Sequence, residues 1–381
     1  MTRTRRISFS RILKSKSKER LQLRVNGTVQ GVGFRPFVYR LASELQLGGW
    51  VRNISSGVEI EVEGLQVSNE RFVERLRSTP PRHAVIRSID ASLLAPLGEV
   101  CFTISPSDNE AGSGPTEILP DIATCEACLK EVFDPADRRF RYPFTNCVQC
   151  GPRYTIVREP PYDRCHTTMS EFVMCEACQI EYHDPNNRRF HAQPNACPEC
   201  GPQVGYQDCD GNALFDGDDA IAAAVDAILH GEIVAVKGVG GFHLFADARN
   251  IDAVQRLRTR KRREAKPFAL MFPSLEAIRE ECEVSNIESE LLAAPAAPIV
   301  LLRRRSLSDL PPELAPGNPY IGAMLPYTPL HHLLLRLLGH PVIATSGNLS
   351  EEPICINNDE ARHRLRCITD HFLLHNRPIH R

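Results

Sequence analysis

The chain has 381 residues, of which 42% are hydrophobic and 24% are charged, and its formal net charge is -2. These values are ordinary for a soluble globular protein of two or three domains. The near-neutral charge argues against a dedicated nucleic-acid-binding protein, which usually carries a strong basic excess. No apolar run approaches the roughly 20 residues of a membrane-spanning helix, so no membrane association is expected.

The first 19 residues form a basic segment with a single acidic residue, Glu19. This composition predicts a disordered tail, and a transit peptide is the alternative. The fourteen cysteines accompany no export signal, and eight of them fall in CxxC pairs. That usage indicates metal binding in a reducing compartment, so we expect a cytoplasmic protein.

Residues 20–106 alternate strand and helix patterns in the order β-α-β-β-α-β, which predicts a ferredoxin-like fold. The segments "GWVRNI" and "VEIEVEG" predict a hairpin around "SSG". Its second strand alternates valine or isoleucine with Glu59, Glu61 and Glu63, which predicts one buried face and one solvent-exposed face. The second helix is predicted at "NERFVERLRS" and the last strand near "EVCFTIS".

The stretch "VQGVGFRP" places a glycine-framed turn where a strand passes into a helix. Backbone N–H groups of such a turn, followed by a helix N-terminus, form a nest for phosphate or an acyl phosphate. Arg35 can clamp two oxygens with its guanidinium fork, and Asn53 can position a water. A solvated arginine and a turn asparagine are the alternatives. The predicted phosphate loop consists of Gln30, Gly31, Val32, Gly33 and Phe34.

Residues 107–118 are predicted to be a linker, and residues 119–205 contain a repeat with an offset of about 50 residues. In both copies CEAC, DP, RRF, CxxC and GP recur in register. Four thiolates around one tetrahedral ion form a closed structural zinc site, so the repeat predicts two structural zinc ions. The ligands are Cys125, Cys128, Cys147, Cys150, Cys175, Cys178, Cys197 and Cys200.

The pairing of these CxxC motifs stays open at this point, because each ion could take neighbouring pairs or pairs from opposite ends of the block. Cys165 and His166, between the repeats, could form an extra ligand set, although a free cysteine beside a histidine is more usual. Redox dithiols are a weaker alternative for the CxxC pairs.

Residues 215–381 predict one α/β domain with five buried strands, at "EIVAVKG", "PFALMF", "APIVLLR", "PVIATSGN" and "CITDHFLLH". Small polar residues and lysines at strand ends are typical of anionic-ligand sites in α/β sheets. A solvated helix face is the alternative for the basic run at 258–266, and no Walker loop is present. The predicted nucleotide-binding residues are Lys237, Gly240, Gly241, Lys261, Arg262, Lys266, Thr345, Ser346 and Asn348.

"VNGTVQGVGFRPFVYRLA" together with "GWVRNISSGVEIEVEG" resembles an acylphosphatase. By that resemblance Arg35 binds the phosphate and Asn53 orients the attacking water. The basic "KRR" and "KP" segments with "SGN" resemble a YrdC-like domain, which binds ATP and makes acyl-adenylates. The order acylphosphatase, double zinc module and YrdC-like domain resembles the hydrogenase maturation carbamoyltransferases, the HypF family. The expected fold class is therefore α+β and multidomain.

This resemblance implies hydrolysis of carbamoyl phosphate, followed by ATP- and magnesium-dependent formation of carbamoyl-adenylate. In the family the carbamoyl group passes to a C-terminal cysteine of a maturation partner and becomes the cyanide ligand of [NiFe]-hydrogenase. The chain stops at "LLHNRPIHR", where the family continues into a transferase domain, so we expect a truncated or divided protein. The alternatives are a tRNA threonylcarbamoylation-type adenylating module, a double-stranded RNA-binding module, and a non-catalytic docking fragment.

Overall fold

A computed structural model of the protein describes residues 18–108, 117–349 and 352–381. The predicted basic tail therefore lies outside the described residues except for Lys18 and Glu19, and so do residues 109–116 of the predicted linker. The chain divides into two compact units. The first contains the described residues up to Pro120 with 147–149 and 157–195, and the second contains 121–146, 150–156 and 196–381.

The first unit is built on a five-stranded sheet with strand order β4-β1-β3-β2-β5. Its core lies between this sheet and two helices. The regular elements of this unit are β1 (Lys18–Thr28), α1 (Phe34–Glu44), β2 (Gly48–Ile54), β3 (Gly57–Leu65), α2 (Gln66–Ser78), β4 (Val85–Leu94), β5 (Phe102–Ile104), two short 3-10 helices (Arg164–His166 and Thr168–Glu171) and a further helix in the second cysteine repeat (Glu176–His183).

The ferredoxin-like prediction is confirmed, but the assignment of its last strand needs a correction. The fourth strand of the fold is Val85–Leu94, which pairs antiparallel with β1 and was missed in the sequence. The strand expected near "EVCFTIS" exists as β5, which runs parallel to β2 and forms one edge of the sheet. β4 was missed because its residues are mostly exposed or half-buried, so it lacks a clear buried period.

The predicted solvent-exposed face of β3 is wrong. Glu59, Glu61 and Glu63 are all buried, with exposed fractions of 2%, 6% and 2%. Arginines on the neighbouring strands cover the first two: Arg52 bonds Glu59 at 2.7 Å, and Arg20 pairs with Glu61. The backbone N–H groups of residues 97 and 98 each donate to Glu63 at 2.8 Å. These bonds, that from residue 97 above all, lower the pKa of this carboxyl. The period of two correctly predicted which residues of β3 share a face. The glutamate face is nevertheless buried, because its carboxylates pair with arginines and backbone N–H groups instead of water.

The second unit contains a mixed ten-stranded sheet with the order β11-β12-β13-β10-β14-β9-β8-β15-β6-β7. The label α4 belongs to the helix Glu176–His183 of the first unit. Short 3-10 helices of the second unit lie at Tyr154–Ile156 and Pro312–Leu314. The other elements of the second unit are α3 (Glu126–Phe133), β6 (Val204–Asp208), β7 (Ala213–Asp216), α5 (Gly217–Leu229), β8 (Val234–Lys237), β9 (Phe242–Asp247), α6 (Ile251–Lys261), β10 (Ala269–Met271), α7 (Leu275–Glu281), β11 (Cys282–Glu283), α8 (Asn286–Leu292), β12 (Val300–Arg304), β13 (Tyr320–Met324), α9 (Pro329–Leu338), β14 (Val342–Ser346), α10 (Asn358–Leu365) and β15 (His371–His375).

All five predicted strands of this unit are present, as β8, β10, β12, β14 and β15. The expected burial is wrong for β12, in which Leu302 is buried but Leu301 is 69% exposed. The large core lies on the sheet and is formed by side chains such as Phe242, Leu270 and Phe372. Prediction missed the other five strands, β6, β7, β9, β11 and β13. β9 and β13 each follow a glycine- or proline-rich stretch that reads as a loop. Among the helices of the described residues, none has the length and apolar character needed to cross a bilayer.

Candidate functional site

The glycine-framed loop of the first unit joins β1 to α1. Gly31 and Gly33 both have a φ of 74°, a left-handed conformation that favours glycine. Gly33 is the N-cap residue of α1 and makes no side-chain cap, so the first turn of the helix points its N–H groups toward the loop. Gln30 anchors the loop, because its Nε2 donates to the carbonyls of residues 54 and 57 at 2.8 Å each.

Arg35 lies in the first turn of α1, directly behind this loop, and is 8% exposed. Its Nη2 donates to the Asp163 carboxylate at 2.6 Å and to the Tyr162 carbonyl at 3.3 Å. Its Nη1 donates to Ser107 Oγ at 3.4 Å. A buried guanidinium with several acceptors is not a solvated helix-start charge, so the structure argues against that alternative.

Asn53 lies on β2 and is 1% exposed. Its Nδ2 donates to the Tyr162 carbonyl at 3.3 Å, the same oxygen that Arg35 contacts. Its Oδ1 is buried and has no hydrogen-bond partner among the described residues. A buried acceptor without a partner is uncommon in folded proteins, so this oxygen is suited to accept a hydrogen bond from a ligand or a water. The structure therefore places the two predicted catalytic side chains within hydrogen-bond distance of the same oxygen atom.

Tyr162, Asp163 and Ser107 complete this site, and none of them was predicted. The carboxylate of Asp163 accepts from Arg35 and from Ser107. The Tyr162 backbone N–H donates to Gln30 Oε1 at 2.9 Å. These residues lie up to 128 positions from Arg35 along the chain. The only sequence signal was an acidic residue in the proline-rich "EPPYDRCH", which is not specific enough to place it here.

The eight predicted zinc ligands come together in two groups of four, Cys125, Cys128, Cys147 and Cys150, and Cys175, Cys178, Cys197 and Cys200. Each group comes from one repeat, which settles the pairing that the sequence left open. Within each group all sulfurs lie within 4.8 Å of one another. A tetrahedral ion with zinc–sulfur bonds of about 2.3 Å places its sulfurs about 3.8 Å apart, so two zinc ions fit.

The two repeats share their backbone as well as their cysteines. The first cysteine of each is the N-cap residue of a helix, Glu126–Phe133 or Glu176–His183, whose dipole stabilises thiolates. Arg141 and His191, 50 residues apart, both adopt a positive φ, of 57° and 53°. This agreement supports the predicted duplication. Cys165 and His166 belong to neither group of possible metal ligands found in the described part of the chain.

The second unit encloses a cavity of about 680 Å³ along the central strands of its sheet, a size suited to a small-molecule ligand. Four predicted nucleotide-binding residues line it: Lys237, Lys266, Thr345 and Ser346. The cavity lining does not include the other five, Gly240, Gly241, Lys261, Arg262 and Asn348. Gly240 and Gly241 instead form the turn between β8 and β9, where the Gly238 N–H bonds the Gly241 carbonyl at 2.8 Å.

Lys261 does not line the cavity but holds one of its walls, because it bonds the backbone at the end of β14. It is 2% exposed, and its Nζ donates to the carbonyls of Ser346 and Asn348 at 2.6 Å and to Asn348 Oδ1 at 2.9 Å. Burial, together with the nearby charges of Arg263 and Lys266, lowers its pKa to about 8. A solvated helix face does not describe this lysine, whereas Arg262 at the end of α6 is exposed.

Several cavity residues were not predicted. Arg263 lines the cavity and donates to Thr345 Oγ1 at 3.1 Å. His243 and Tyr327 face each other with Nε2 and Oη 2.8 Å apart, and burial lowers the pKa of His243 to about 4.

The predicted residue Lys237 donates to the carbonyls of His375 and Arg377 at 3.1 and 3.2 Å, and burial lowers its pKa to about 8. The cavity is therefore cationic, with neutral imidazole at one wall.

Three family models match separate parts of the chain. The model described as Acylphosphatase matches residues 21–104, and the HypF finger matches 124–157 and 174–206. The Sua5/YciO/YrdC model, described as Telomere recombination, matches 226–381. This order is the one expected from the sequence.

Among curated proteins, the chain is 52% identical over 357 residues to a carbamoyltransferase HypF of Synechocystis, covering 94% of this chain and 46% of that protein. It is 45% identical over 84 residues to an acylphosphatase of Moorella thermoacetica, covering 22% of this chain and 89% of that protein. A crystal structure of full-length HypF in a phosphate- and nucleotide-bound form is 45% identical, with a TM-score of 0.91. That match covers 95% of this chain and 47% of the other chain. The chain thus spans about half the length of these longer relatives.

Proposed function

Because the chain belongs to the family of HypF carbamoyltransferases, we propose that its first unit hydrolyses carbamoyl phosphate and its second unit makes carbamoyl-adenylate. The single observation that carries the first half is the convergence of Arg35 and Asn53. Both donate to one oxygen at 3.3 Å, beside a glycine loop and an uncapped helix N-terminus. An oxygen of the substrate phosphate would lie where this carbonyl oxygen lies.

In the proposed hydrolysis the loop N–H groups and the Arg35 guanidinium hold the phosphoryl oxygens and stabilise the charge that develops on them. Asn53 holds the attacking water, which donates to its unpartnered Oδ1. The water oxygen bonds to phosphorus, and the phosphorus bond to the carbamoyl oxygen breaks. The products are inorganic phosphate and carbamate.

The cavity of the second unit is proposed to bind ATP with its magnesium ion. Arg263, Lys266 and the polar groups at the end of β14 supply donors for phosphate oxygens. A carbamate oxygen attacks the α-phosphorus, pyrophosphate leaves, and carbamoyl-adenylate forms. The similar crystal structure of full-length HypF holds phosphate and nucleotide, which supports a nucleotide substrate for the family.

Carbamate decomposes quickly in water, so the proposal requires the second unit to consume it promptly. The carbamoyl group would then serve the cyanide ligands of [NiFe]-hydrogenase through the C-terminal cysteine of a maturation partner. We assign that transfer to no residue of this chain. The RNA-directed alternative is not favoured, because relatives that match 94% of the chain carry the carbamoyltransferase name.

The test is hydrolysis of carbamoyl phosphate by the full chain in isotopically labelled water. Attack on phosphorus places the label in inorganic phosphate, whereas attack on the carbonyl carbon places it in carbamate and its decomposition products. We expect the label in phosphate and no release above background for Arg35→Ala. Arg87→Ala removes an exposed arginine of β4 and is the matched control, with unchanged activity expected. Absence of phosphate release by the native chain would overturn the proposal.

A further inference from the structure

The tip of one loop occupies the place proposed for the substrate. The loop of residues 158–166 is closed at its base, where the Arg158 N–H bonds the His166 carbonyl at 2.9 Å and residues 157 and 167 form a bridge. Its tip, Tyr162 and Asp163, reaches the phosphate loop and both predicted catalytic side chains. Loop 158–166 therefore holds together at its base while its tip fills a binding site.

The tip uses the donors of Arg35 that a phosphate needs. A guanidinium binds two oxygens of an oxyanion through one of two forks, Nε with Nη2 or Nη1 with Nη2. Both forks need a hydrogen of Nη2. In the structure the two Nη2 contacts go to the Asp163 carboxylate and the Tyr162 carbonyl. Neither fork can donate to two phosphate oxygens while both contacts persist.

The same tip also uses Asn53, whose amide donates to the Tyr162 carbonyl. Asp163 adds a negative charge at the mouth of the site, with its side chain 18% exposed. It pairs with a guanidinium that is 9% exposed by its side chain. A carboxylate and a carbonyl thus satisfy a buried cation in the way that an oxyanion would, which lowers the cost of burying Arg35 when no ligand is bound.

We propose that the tip of loop 158–166 is an internal competitor of the substrate phosphate, and that Asp163 sets which anions enter the site. A phosphate dianion, with three oxygens and two charges, displaces the tip and takes both Nη2 contacts. A simple carboxylate offers no gain over Asp163 and does not displace it. This inference rests on the proposed function, since it concerns the same phosphate site.

The test is the affinity of the full chain for inorganic phosphate, measured by titration calorimetry with Asp163→Asn. Asparagine keeps the size of the side chain but removes the competing charge. Losing one charge-assisted contact should tighten phosphate binding about tenfold. The matched control is Glu159→Gln, which removes an equal charge from an exposed position on the same loop and should leave the affinity unchanged. Equal or weaker phosphate binding by Asp163→Asn would overturn the inference.

A second measurement uses the native chain and guards against a folding defect in the variant. Displacement of the tip breaks the bond between the Tyr162 N–H and Gln30. Hydrogen exchange at that amide should therefore become faster when phosphate binds, although ligands usually slow exchange. Slower or unchanged exchange would count against displacement.

Arg35→Ala separates this inference from the proposed function. Phosphate binding that Arg35→Ala abolishes and Asp163→Asn leaves unchanged would overturn only the competitor. If neither the native chain nor Asp163→Asn binds phosphate, the phosphate site itself is wrong and both proposals fail.

Discussion

The two proposed anion sites of this protein are built in different ways. The proposed phosphate site of the first unit is centred on a short continuous segment, residues 30–35, which Asn53 and the tip of loop 158–166 complete, and its cation is paired with protein acceptors. The cavity of the second unit collects residues from several strands that are distant in the sequence, and it is about 680 Å³ in volume. The first site is small and is occupied by the tip of loop 158–166, whereas the second is an open cavity large enough for a small-molecule ligand.

The charges of the two sites also differ in kind. The first depends on an arginine, which stays protonated over the working range of proteins. The second includes Lys237, which lines the cavity, and Lys261, which lies outside the lining, and burial lowers the pKa of both to about 8. A small site for a doubly charged group thus relies on a fixed charge. The larger site relies on charges that respond to pH.

The largest expected effect is that of Arg35→Ala on acyl phosphate hydrolysis. Loss of the charge that faces the phosphoryl group should lower kcat/KM by roughly 10³-fold, as for other preorganised donors. Nucleotide binding in the second unit should be unaffected. Rates of phosphate release and nucleotide titrations would check both halves. A parallel loss of nucleotide affinity would mean that the two sites cannot be compared as independent.

Asn53→Ala should lower kcat by roughly 10²-fold because the attacking water loses its partner. Inorganic phosphate should still bind, since Arg35 and the loop remain. Steady-state kinetics together with a phosphate titration would separate the two roles. If phosphate affinity fell and kcat did not, Asn53 would be a binding residue instead.

Lys261→Met should weaken nucleotide binding by roughly tenfold to 100-fold while hydrolysis continues. The physical reason is loss of the bonds to the Ser346 and Asn348 carbonyls, which hold the end of β14 in place where Ser346 lines the cavity. Calorimetric titration with ATP would measure the change. Lys130→Ala removes an exposed lysine that pairs with Glu126 and is the control, with no effect expected. Unchanged affinity in Lys261→Met would remove Lys261 from the site.

The smallest expected effect is a difference in pH dependence. Because burial lowers the pKa of Lys237 and Lys261 to about 8, both are charged below that pH and neutral above it. Nucleotide affinity should therefore fall severalfold as the pH rises from about 7 to about 9.5. Phosphate affinity at Arg35 should not fall between about pH 8 and 9.5. Equal pH profiles at the two sites would contradict the proposed difference.

The parts that the sequence predicted are those encoded locally. The glycine loop, Arg35 and Asn53 follow from short motifs, and the cysteine spacing specifies two sites through a repeated pattern. The buried strands of the second unit also follow from continuous apolar runs such as "VIAT".

The parts that it did not predict depend on long-range partners. Glu61 is buried because Arg20 and Gln22 on the adjacent strand bond its carboxylate. The alternation of apolar and polar residues along one strand does not show such partners on another strand. Asp163 meets Arg35 across 128 residues, and His243 meets Tyr327 across 84. The strand Val85–Leu94 is held by pairing with β1 rather than by burial of its own side chains.

The central claim is that one chain hydrolyses carbamoyl phosphate and activates the product. The most direct test is exchange of labelled pyrophosphate into ATP by the purified chain, with and without carbamoyl phosphate. We predict exchange that requires carbamoyl phosphate and disappears in Arg35→Ala. Phosphate release without any exchange would contradict the claim, because only the first unit would then be active.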